Sequence, residues 1–266
     1  MPHLLNDTNI FDLFSLKGKV AVVTGAGSGL GVAFSVAMAE AGADVVCADI
    51  RKEGAAETIS KIEGLGQKGL SVGCDVTREE DVENMVKKGV ERFGKIDILI
   101  NSAGISDAPH PAHELPVEEW DKVVAVNLRG IFLVAKEVLK VMVKQKEGKV
   151  VNVGSVWGQV GSSTIIALPA YTATKGAIIN FTRELALEYA PLGIHVNCLA
   201  PGFFRSELGG GAYHNPEFVK MATKTIPMGS IGEAEDLKGS ILYLASKASD
   251  FVTGHVLVID GGYLAK

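Results

Sequence analysis

The sequence predicts an α/β fold: a doubly wound parallel sheet of about seven strands with helices on both faces. Short β-branched runs alternate with longer alanine-rich or amphipathic segments along the chain, as in successive βαβ units. The strand-like runs are apolar almost throughout, as expected for strands buried on both faces. Residues suited to chemistry rather than packing follow several of these runs directly, at the sheet edge where such folds bind ligands.

The predicted strands are short, apolar and bounded by glycine or polar residues. They cover residues 19–24, 44–49, 70–73, 96–100, 149–153, 194–199 and 256–259. Helices are predicted between them, over residues 30–41, 53–65, 78–93, 117–144, 170–190 and 234–245. Gly42 ends the first helix, and Pro116 precedes the fourth.

The remaining segments define the domain organisation. Residues 1–17 are expected to form an arm in front of a single domain, residues 18–266. Residues 203–228 show little helical or strand pattern, and Gly209, Gly210 and Gly211 lie among them. This segment follows the sixth strand, so we expect it to act as a lid over the substrate.

The composition excludes several classes of function. The formal net charge of the 266 residues is −5, which leaves no basic field to attract a nucleic acid. No apolar run approaches the roughly 20 residues of a membrane span, and the N-terminal residues lack the apolar segment of a signal peptide. Cys47, Cys74 and Cys198 lie far apart without metal-ligand spacing. We therefore expect a cytoplasmic protein with buried thiols, no metal, and no nucleic-acid or membrane partner.

A glycine-rich turn indicates a dinucleotide site. Residues 24–31 read Thr-Gly-Ala-Gly-Ser-Gly-Leu-Gly and join a predicted strand to a predicted helix. Glycines there allow the backbone to approach a pyrophosphate, which the helix N-terminus then binds. Asp49 ends the next strand, where its carboxylate can accept hydrogen bonds from a ribose and would repel a 2′-phosphate. The pocket should therefore take NAD(H) rather than NADP(H), with Arg51 as the one residue that could soften the preference.

A serine, a tyrosine and a lysine form the candidate catalytic group. Tyr171 and Lys175 are four residues apart, so a helix over residues 170–190 puts the phenol and the ammonium on one face. A cation favours a phenolate, so we expect the pKa of Tyr171 to fall from its usual value of about 10 toward working pH. Ser155 follows a strand and could hold a carbonyl oxygen beside that phenol. Together these residues predict a general acid/base with an oxyanion partner.

Motifs in order over about residues 15–264 resemble the short-chain dehydrogenase/reductase family. The turn over residues 24–31 resembles the TGxxxGxG pattern of that family. The other matching motifs are Cys74-Asp75-Val76, Asn101-Ser102-Ala103-Gly104, Asn127, Ser155 with Tyr171 and Lys175, Pro201-Gly202, Thr253-Gly254 and Asp260-Gly261-Gly262. The resemblance implies a Rossmann fold that binds a nicotinamide dinucleotide.

The site residues that we expect follow from these motifs. The catalytic residues are Asn127, Ser155, Tyr171 and Lys175. The cofactor-binding residues are Gly25, Gly27, Ser28, Gly29, Leu30, Gly31, Asp49, Ile50, Asp75, Val76, Asn101, Ala103, Gly104, Tyr171, Lys175, Pro201 and Gly202. Trp157 and Arg205 are the candidates for contact with the substrate.

The resemblance also implies a mechanism. In reduction, Tyr171 donates a proton to the carbonyl oxygen as hydride arrives from the nicotinamide, and Ser155 hydrogen-bonds that oxygen. Lys175 binds the nicotinamide ribose and lowers the pKa of the tyrosine. Asn127 holds a water that relays protons, a role that could coincide with satisfying a backbone group.

Two departures from the family pattern concern the loops. Ser102 replaces the second asparagine of the Asn-Asn-Ala-Gly motif, a small polar change that should keep the loop. The sixteen positions from Ser155 to Tyr171 are about three more than the family usually shows, so residues 161–168 should bulge over the pocket. That bulge affects the shape of the substrate more than the chemistry. His110 and His113 lie among prolines and are interpreted as loop residues near the entrance, not as metal ligands.

The substrate and the assembly rest on closer resemblances. Residues 12–19, 200–207 and 246–251 resemble gluconate 5-dehydrogenases and related keto-sugar-acid reductases, so a polyol or sugar acid is expected, with Arg205 as a candidate to grip a carboxylate. A pairing of Arg205 with Glu207 or with a cofactor phosphate is equally open. The alternatives are a 3-oxoacyl thioester reductase or another secondary-alcohol dehydrogenase, which apolar residues 165–168 would suit, and a non-enzymatic dinucleotide sensor. The family usually forms tetramers, and a homotetramer is expected.

Overall fold

A single seven-stranded parallel sheet with helices on both faces forms the fold, in the strand order β3-β2-β1-β4-β5-β6-β7. The computed structural model describes residues 9–206, 208 and 211–265. The strands are β1 Val20–Thr24, β2 Asp44–Asp49, β3 Gly69–Gly73, β4 Ile98–Asn101, β5 Gly148–Val153, β6 Ile194–Pro201 and β7 Val256–Ile259. The order reverses between β1 and β4, and open α/β sheets bind their ligands beside such a reversal. The predicted fold class is confirmed.

Nine α-helices lie among the described residues. They are α1 Ile10–Phe14, α2 Gly29–Glu40, α3 Lys52–Gly64, α4 Glu79–Phe93, α5 Val117–Val124, α6 Ile131–Gln145, α7 Pro169–Tyr189, α8 Pro216–Thr225 and α9 Lys238–Ala245. None of the helices in this part of the chain is long and apolar enough to cross a membrane.

The sheet separates two apolar layers, and alternate residues of each strand supply them. Ala21 and Val23 of β1 point into the layer formed with α2, α3 and α9, whereas Val22 points into the layer formed with α4, α6 and α7. Each face of the sheet is therefore covered, which explains why the strands are apolar without alternation. The free cysteines Cys47, Cys74 and Cys198 are buried. Burial raises the pKa of each thiol, to about 12, 12 and 11 in that order.

The long helix predicted over residues 117–144 is interrupted. A π-helical turn, Ala125–Gly130, separates α5 from α6. Asn127 lies in this turn, where its side chain bonds to the backbone of Ile105. Such wide turns occur frequently at functional sites. An apolar pattern alone could not predict the interruption, because the extra residue is held by a tertiary contact.

Residues 203–228 are more regular than the sequence pattern suggested. They include the 3₁₀ turn Ala212–His214 and helix α8. Pro216 occupies the first turn of α8 and Asn215 caps it by accepting a hydrogen bond from the backbone of Glu217. This Asn-Pro start was the signal in the sequence for a helix. Of the three glycines expected in the lid, Gly209 and Gly210 lie outside the described residues.

Candidate active site

A cavity of about 1200 Å³ opens at the carboxyl ends of the strands, over the reversal between β1 and β4. The segments after β1, β2, β4, β5 and β6 line it. Thr24 joins two of these segments, because its hydroxyl accepts hydrogen bonds from the backbone N–H groups of Ser102 (3.1 Å) and Ala103 (3.2 Å). The site is therefore built on the most rigid part of the fold, the ends of the central strands.

The glycine-rich turn lies at one end of the cavity. Gly25 has a φ of 68°, and a Cβ there would lie 2.9 Å from the Cα of Ala103. A Cβ on Gly31 would lie 2.0 Å from the carbonyl oxygen of Gly25, so only glycine fits. Helix α2 begins at Gly29, and its N-cap Ser28 makes no side-chain cap hydrogen bond. The first N–H groups of α2 therefore face the cavity end without a side-chain cap, the arrangement that suits a pyrophosphate.

Asp49, at the end of the neighbouring strand β2, binds the backbone of the glycine-rich turn. Its carboxylate oxygens accept hydrogen bonds from the backbone N–H groups of Gly27 (2.8 Å) and Arg51 (2.9 Å). A Cβ on Gly27 would lie 2.7 Å from the Cγ of Asp49. Gly27 does not itself line the cavity, contrary to the expectation that it contacts the cofactor. Its contribution is to let the Asp49 carboxylate approach the turn.

Most of the other expected cofactor residues line the same cavity. They are Ser28, Gly29, Leu30, Ile50, Asp75, Val76, Ala103, Gly104, Pro201 and Gly202. The carboxylate of Asp75 accepts hydrogen bonds from the backbone and the hydroxyl of Thr77, which hold it at the cavity edge. These lining residues fit a dinucleotide that extends from the glycine-rich turn toward Tyr171.

Asn101 is an exception among the expected cofactor residues. It is buried beneath the cavity, where its amide nitrogen donates to the side-chain oxygen of Asn152 at 2.9 Å. Asn152 in turn donates to the Thr182 hydroxyl at 3.0 Å. This chain of polar contacts joins β4, β5 and α7. The structure therefore gives Asn101 a supporting position rather than a cofactor contact, and the family pattern alone could not distinguish the two.

Ser155, Tyr171 and Lys175 meet at the centre of the cavity, and all three are buried. The ammonium of Lys175 lies 5.5 Å from the centroid of the Tyr171 ring and donates a hydrogen bond to the carbonyl of Val153 at 2.7 Å. Ser155 caps a short 3₁₀ turn by accepting a hydrogen bond from the backbone of Trp157. The end of β5 and the first two turns of α7 thus bring together the three side chains that the sequence predicted.

The pKa values of this group differ from the expectation. Burial raises the pKa of Tyr171 to about 12, while its hydrogen bond with Ser155 acts in the opposite direction and the charge of Asp107 raises it further. Burial also lowers the pKa of Lys175 to about 8. The predicted fall in the tyrosine pKa is therefore wrong for the protein alone. Desolvation of the phenol outweighs its hydrogen bond with Ser155, and the same burial disfavours the charge of the neighbouring Lys175 ammonium.

Asn127 lies below this group and does not line the cavity. Its side-chain oxygen accepts from the N–H of Ile105 and its nitrogen donates to the carbonyl of the same residue, both at 2.8 Å. A Cβ on Gly104 would lie 3.3 Å from the Asn127 oxygen and 3.7 Å from the Lys175 nitrogen. Asn127 thus satisfies a backbone group, the structural alternative noted for it, and stands near the ammonium.

Asp107 is a site residue that sequence reasoning missed. It lies in the loop after β4, is only 3% exposed, and lines the cavity. Its two carboxylate oxygens accept hydrogen bonds from the backbone N–H groups of Ala170 and Tyr171, each at 3.0 Å. The N-cap residue of α7, Leu168, has no side chain that could do this. Because the cap comes from a residue more than sixty positions earlier, no local sequence signal could have found it.

The far end of the cavity is aromatic and apolar. Trp157 packs edge-on against Tyr171, with ring centroids 6.3 Å apart, and against Phe203 at 5.4 Å. Phe203 packs in turn against Tyr263 at 5.3 Å. Trp157 lines the cavity, as expected for a residue that contacts the substrate.

Arg205 differs from its expectation. Its guanidinium lies on the surface and pairs with Glu233, with Nε 3.0 Å from a carboxylate oxygen. Arg205 does not line the cavity, so the structure offers no grip on a substrate carboxylate from this residue. Glu207, the partner considered from the sequence, lies outside the described residues.

The extra residues between Ser155 and Tyr171 cover part of the cavity. Ile166 and Leu168 line it, and the N–H of His110 donates to the carbonyl of Ala167 at 3.2 Å. The loop after β4 and the inserted segment therefore support each other. His113 is exposed beside Glu114.

Comparison with known proteins finds relatives over nearly the whole chain. Residues 25–264 match the family model described as enoyl-(acyl carrier protein) reductase. The 5-keto-D-gluconate 5-reductase of Escherichia coli is 37% identical over 95% of this chain and 98% of its own. The cis-4-hydroxycyclohexanecarboxylate dehydrogenase of Sinomonas cyclohexanicum is 38% identical over 93% and 97%. A crystal structure of a gluconate 5-dehydrogenase from Burkholderia cenocepacia with NADP and tartrate has a TM-score of 0.91, 34% identity, and coverage of 97% and 100%.

This chain belongs to the short-chain dehydrogenase/reductase family. Membership makes it an oxidoreductase that interconverts a secondary alcohol and a ketone with a nicotinamide dinucleotide. The resemblance read from the motifs is thereby confirmed.

Proposed function

We propose that this chain uses NAD(H) to interconvert a secondary alcohol and a ketone, with Tyr171 as the general acid/base. One observation carries the proposal: the Ser155, Tyr171 and Lys175 side chains meet in the cavity that the glycine-rich turn borders. Three buried polar side chains converging at a ligand cavity are the arrangement expected of a catalytic site.

The cofactor, when bound, supplies or accepts the hydride. The N-terminus of α2 would hold its pyrophosphate, and Asp49 would accept hydrogen bonds from the adenosine ribose. Asp75 and Val76 suit the adenine, and Lys175 suits the nicotinamide ribose. Ala103, Gly104, Pro201 and Gly202 provide small surfaces along the path between the two ends.

The side chains then act on the substrate oxygen. The Ser155 hydroxyl holds the carbonyl oxygen, and Tyr171 donates the proton that the new alcohol requires. A pKa of about 12 keeps this phenol protonated at neutral pH, which suits a proton donor in reduction. Asn127 fixes the loop at Ile105 and is the candidate to position a relay water near Lys175.

Preference for NAD(H) is the finer part of the proposal. Asp49 borders the cavity at the adenosine end, and its negative charge opposes a 2′-phosphate. Arg51 lines the same region and could favour that phosphate. The Burkholderia gluconate 5-dehydrogenase structure holds NADP, so relatives differ in this respect and the choice must be measured.

The substrate and the setting are also proposed. The Escherichia coli relative acts on 5-keto-D-gluconate by its name, which makes a keto sugar acid or polyol one candidate substrate, and the name of the Sinomonas relative makes a cyclic alcohol another. We further propose a homotetramer in the cytoplasm, without nucleic-acid or membrane partners, in which residues 18–266 form one domain and residues 203–228 the lid. The three buried thiols suit a reducing compartment.

The proposal is tested by incubating the protein with NAD and a panel of alcohols, or with NADH and a panel of ketones, and following NADH absorbance. Tyr171→Phe should remove nearly all turnover and leave NADH binding within about threefold, because it deletes the proton donor and little packing. Tyr243→Phe on α9, away from the cavity, is the matched control and should keep full activity. A Tyr171→Phe variant that retains a tenth of the rate would place the acid elsewhere.

A further inference from the structure

The cavity beyond Tyr171 ends in an aromatic wall, which we define as Trp157, Phe203 and Tyr263; Trp157 and Phe203 line the cavity, and Tyr263 packs against Phe203 without lining it. Their rings form a continuous edge-to-face series that begins at the Tyr171 ring. A substrate carbonyl held by Ser155 and Tyr171 must direct one of its two substituents toward this wall. The indole N–H of Trp157 is buried without a hydrogen-bond partner among the described residues. Apart from that group the aromatic rings offer little to a polyhydroxylated chain, which would lose hydrogen bonds to water there.

Other residues that line the same space are also apolar. Ile166 and Leu168 of the inserted segment line the cavity, as do Tyr213 and Phe218 from the segment above it. The rings of Tyr213 and Phe218 pack edge-on, 5.4 Å apart. An apolar substituent in this space would meet apolar side chains from several segments, the usual character of a small-molecule site.

Charged residues around the cavity oppose a substrate carboxylate. Of the described basic residues that line it, Lys175 is bonded to the Val153 carbonyl, and Arg51 lies at the adenosine end. The third, Lys122, is exposed on α5 one turn after Glu118 and Glu119, which also line the cavity. The buried Asp107 carboxylate adds negative charge next to Tyr171.

We propose that the preferred substrate is a neutral ketone, or the corresponding alcohol, whose carbonyl belongs to or adjoins an apolar ring. This inference deepens the proposed function and rests on it. It differs from the sugar acids that several names of relatives suggest, and it assigns the substrate preference to the aromatic wall and to the residues inserted between Ser155 and Tyr171.

Two matched ketones separate the effect of the charge of the substrate from the effect of its ring. 4-Oxocyclohexanecarboxylate and its methyl ester share a ring and differ in charge, and both are assayed with NADH beside 5-keto-D-gluconate. The ester should exceed the acid in kcat/KM by at least tenfold, and it should exceed 5-keto-D-gluconate by more. In a series of 4-alkylcyclohexanones, each added methylene should raise kcat/KM about threefold until the cavity is full, because each buries apolar surface. An acid that equals its ester, or a flat alkyl series, would overturn the proposal.

Substitution of Trp157 tests whether the aromatic wall causes the preference for apolar ketones. Trp157→Ala should lower kcat/KM for the 4-alkylcyclohexanones at least tenfold and flatten the methylene series, with unchanged NADH binding. Trp120→Ala is the control, since Trp120 is the other tryptophan of the chain and does not line the cavity. Thermal unfolding of both variants shows whether Trp157→Ala folds. If it does not, Trp157→Leu and Ile166→Ser must give the same loss for the alkyl series.

Different results would contradict the proposed function and the proposed apolar substrate. Absence of NADH binding, or turnover that survives Tyr171→Phe, would remove the proposed function itself. Turnover of 5-keto-D-gluconate at ten times the rate of every cyclic ketone would leave that function intact and overturn the apolar substrate. Binding of NADH without turnover of any ketone in the panel would also count against it.

Discussion

Asp107 accepts a hydrogen bond from the backbone N–H of Tyr171 at 3.0 Å, and its second oxygen accepts one from Ala170 at the same distance. The carboxylate thus caps the helix that carries both the phenol and the ammonium. A negative charge at a helix N-terminus is stabilising because it faces the positive end of the helix dipole. The loop after β4 therefore sets the position of the residue that we propose as the catalytic acid.

The first prediction concerns this cap. Asp107→Ala should lower the free energy of unfolding by roughly 2 kcal/mol, because two buried N–H groups lose their partner. It should also reduce kcat at least tenfold with little change in NADH affinity, since Tyr171 loses its fixed position. Urea unfolding and steady-state kinetics measure the two effects. Asn9→Ala removes the cap of α1, far from the cavity, and should leave kcat unchanged. A full kcat in Asp107→Ala would limit Asp107 to a structural role.

The second prediction is cofactor choice. The wild type should use NADH better than NADPH by at least an order of magnitude in kcat/KM, about 1.4 kcal/mol of transition-state free energy. Asp49→Asn should narrow the gap, because it removes the charge and keeps an oxygen for the Gly27 N–H. Asp44→Asn at the other end of β2 is the control and should not change the ratio. Equal use of both cofactors by the wild type would refute the preference.

The third prediction is the pH dependence of stability without cofactor. The pKa of Lys175 is about 8 in the fold and 10.5 when exposed, so between these values the unfolded chain binds more protons. Stability from this residue therefore rises with pH over that window, by up to about 3 kcal/mol at about 1.4 kcal/mol per pH unit. In urea unfolding experiments the stability of the wild type relative to Lys175→Met should therefore rise from pH 8 to 10, because the three buried thiols, whose raised pKa values lower stability above pH 9, act equally in both proteins. A constant difference between the two proteins across that range would contradict the buried, partly deprotonated lysine.

The fourth prediction is assembly. Phe132 on α6 is 48% exposed and packs against Phe181 of α7, and Leu187 on α7 is 78% exposed. Exposed apolar residues on these two helices suit an interface between copies of the chain. Sedimentation should give about four times the 28.0 kDa chain mass, and Phe132→Glu should reduce it. Phe11→Glu, an exposed residue of α1, should not. A wild-type mass near one chain at micromolar concentration would be incompatible with the tetramer.

The fifth prediction concerns the lid. The segment around α8 is joined to the domain at its two ends, by hydrogen bonds between Gly232 and the backbone of Phe203 and Arg205, and from Met228 to Gly261. Closure over a substrate would slow amide exchange in α8 when cofactor and substrate are both present. Exchange in α4, remote from the segment, should stay the same. Amide exchange in α8 that is not slowed by cofactor and substrate would show that the segment does not close over the substrate.

The sequence was sufficient for the fold because strand and helix signals here are local. β-branched runs, Gly42 and the glycine-rich turn each predict their element without knowledge of its neighbours. Ser155, Tyr171 and Lys175 could be found because their spacing is fixed by one strand and one helix.

The remaining features depend on contacts between distant segments. The Asp107 cap, the Asn101–Asn152 pair and the Arg205–Glu233 ion pair each join residues that are dozens of positions apart or have several possible partners. The pKa of Tyr171 depends on how deeply the phenol is buried, which no spacing reveals. Family motifs mark such residues without stating what they touch.

The π-helical turn, Ala125–Gly130, divides the long helix into two parts, α5 and α6, which pack against different neighbours. Its added residue rotates the face of α6 relative to that of α5, so the two halves have different neighbours. Glu118, Glu119 and Val123 of α5 border the cavity, whereas Leu133, Val138 and Met142 of α6 pack against the sheet. Substitutions in α5 can therefore change the shape and charge of the cavity mouth, while α6 continues to pack against the sheet. One wide turn thus lets the two halves of a single helix serve different surfaces, the cavity and the sheet.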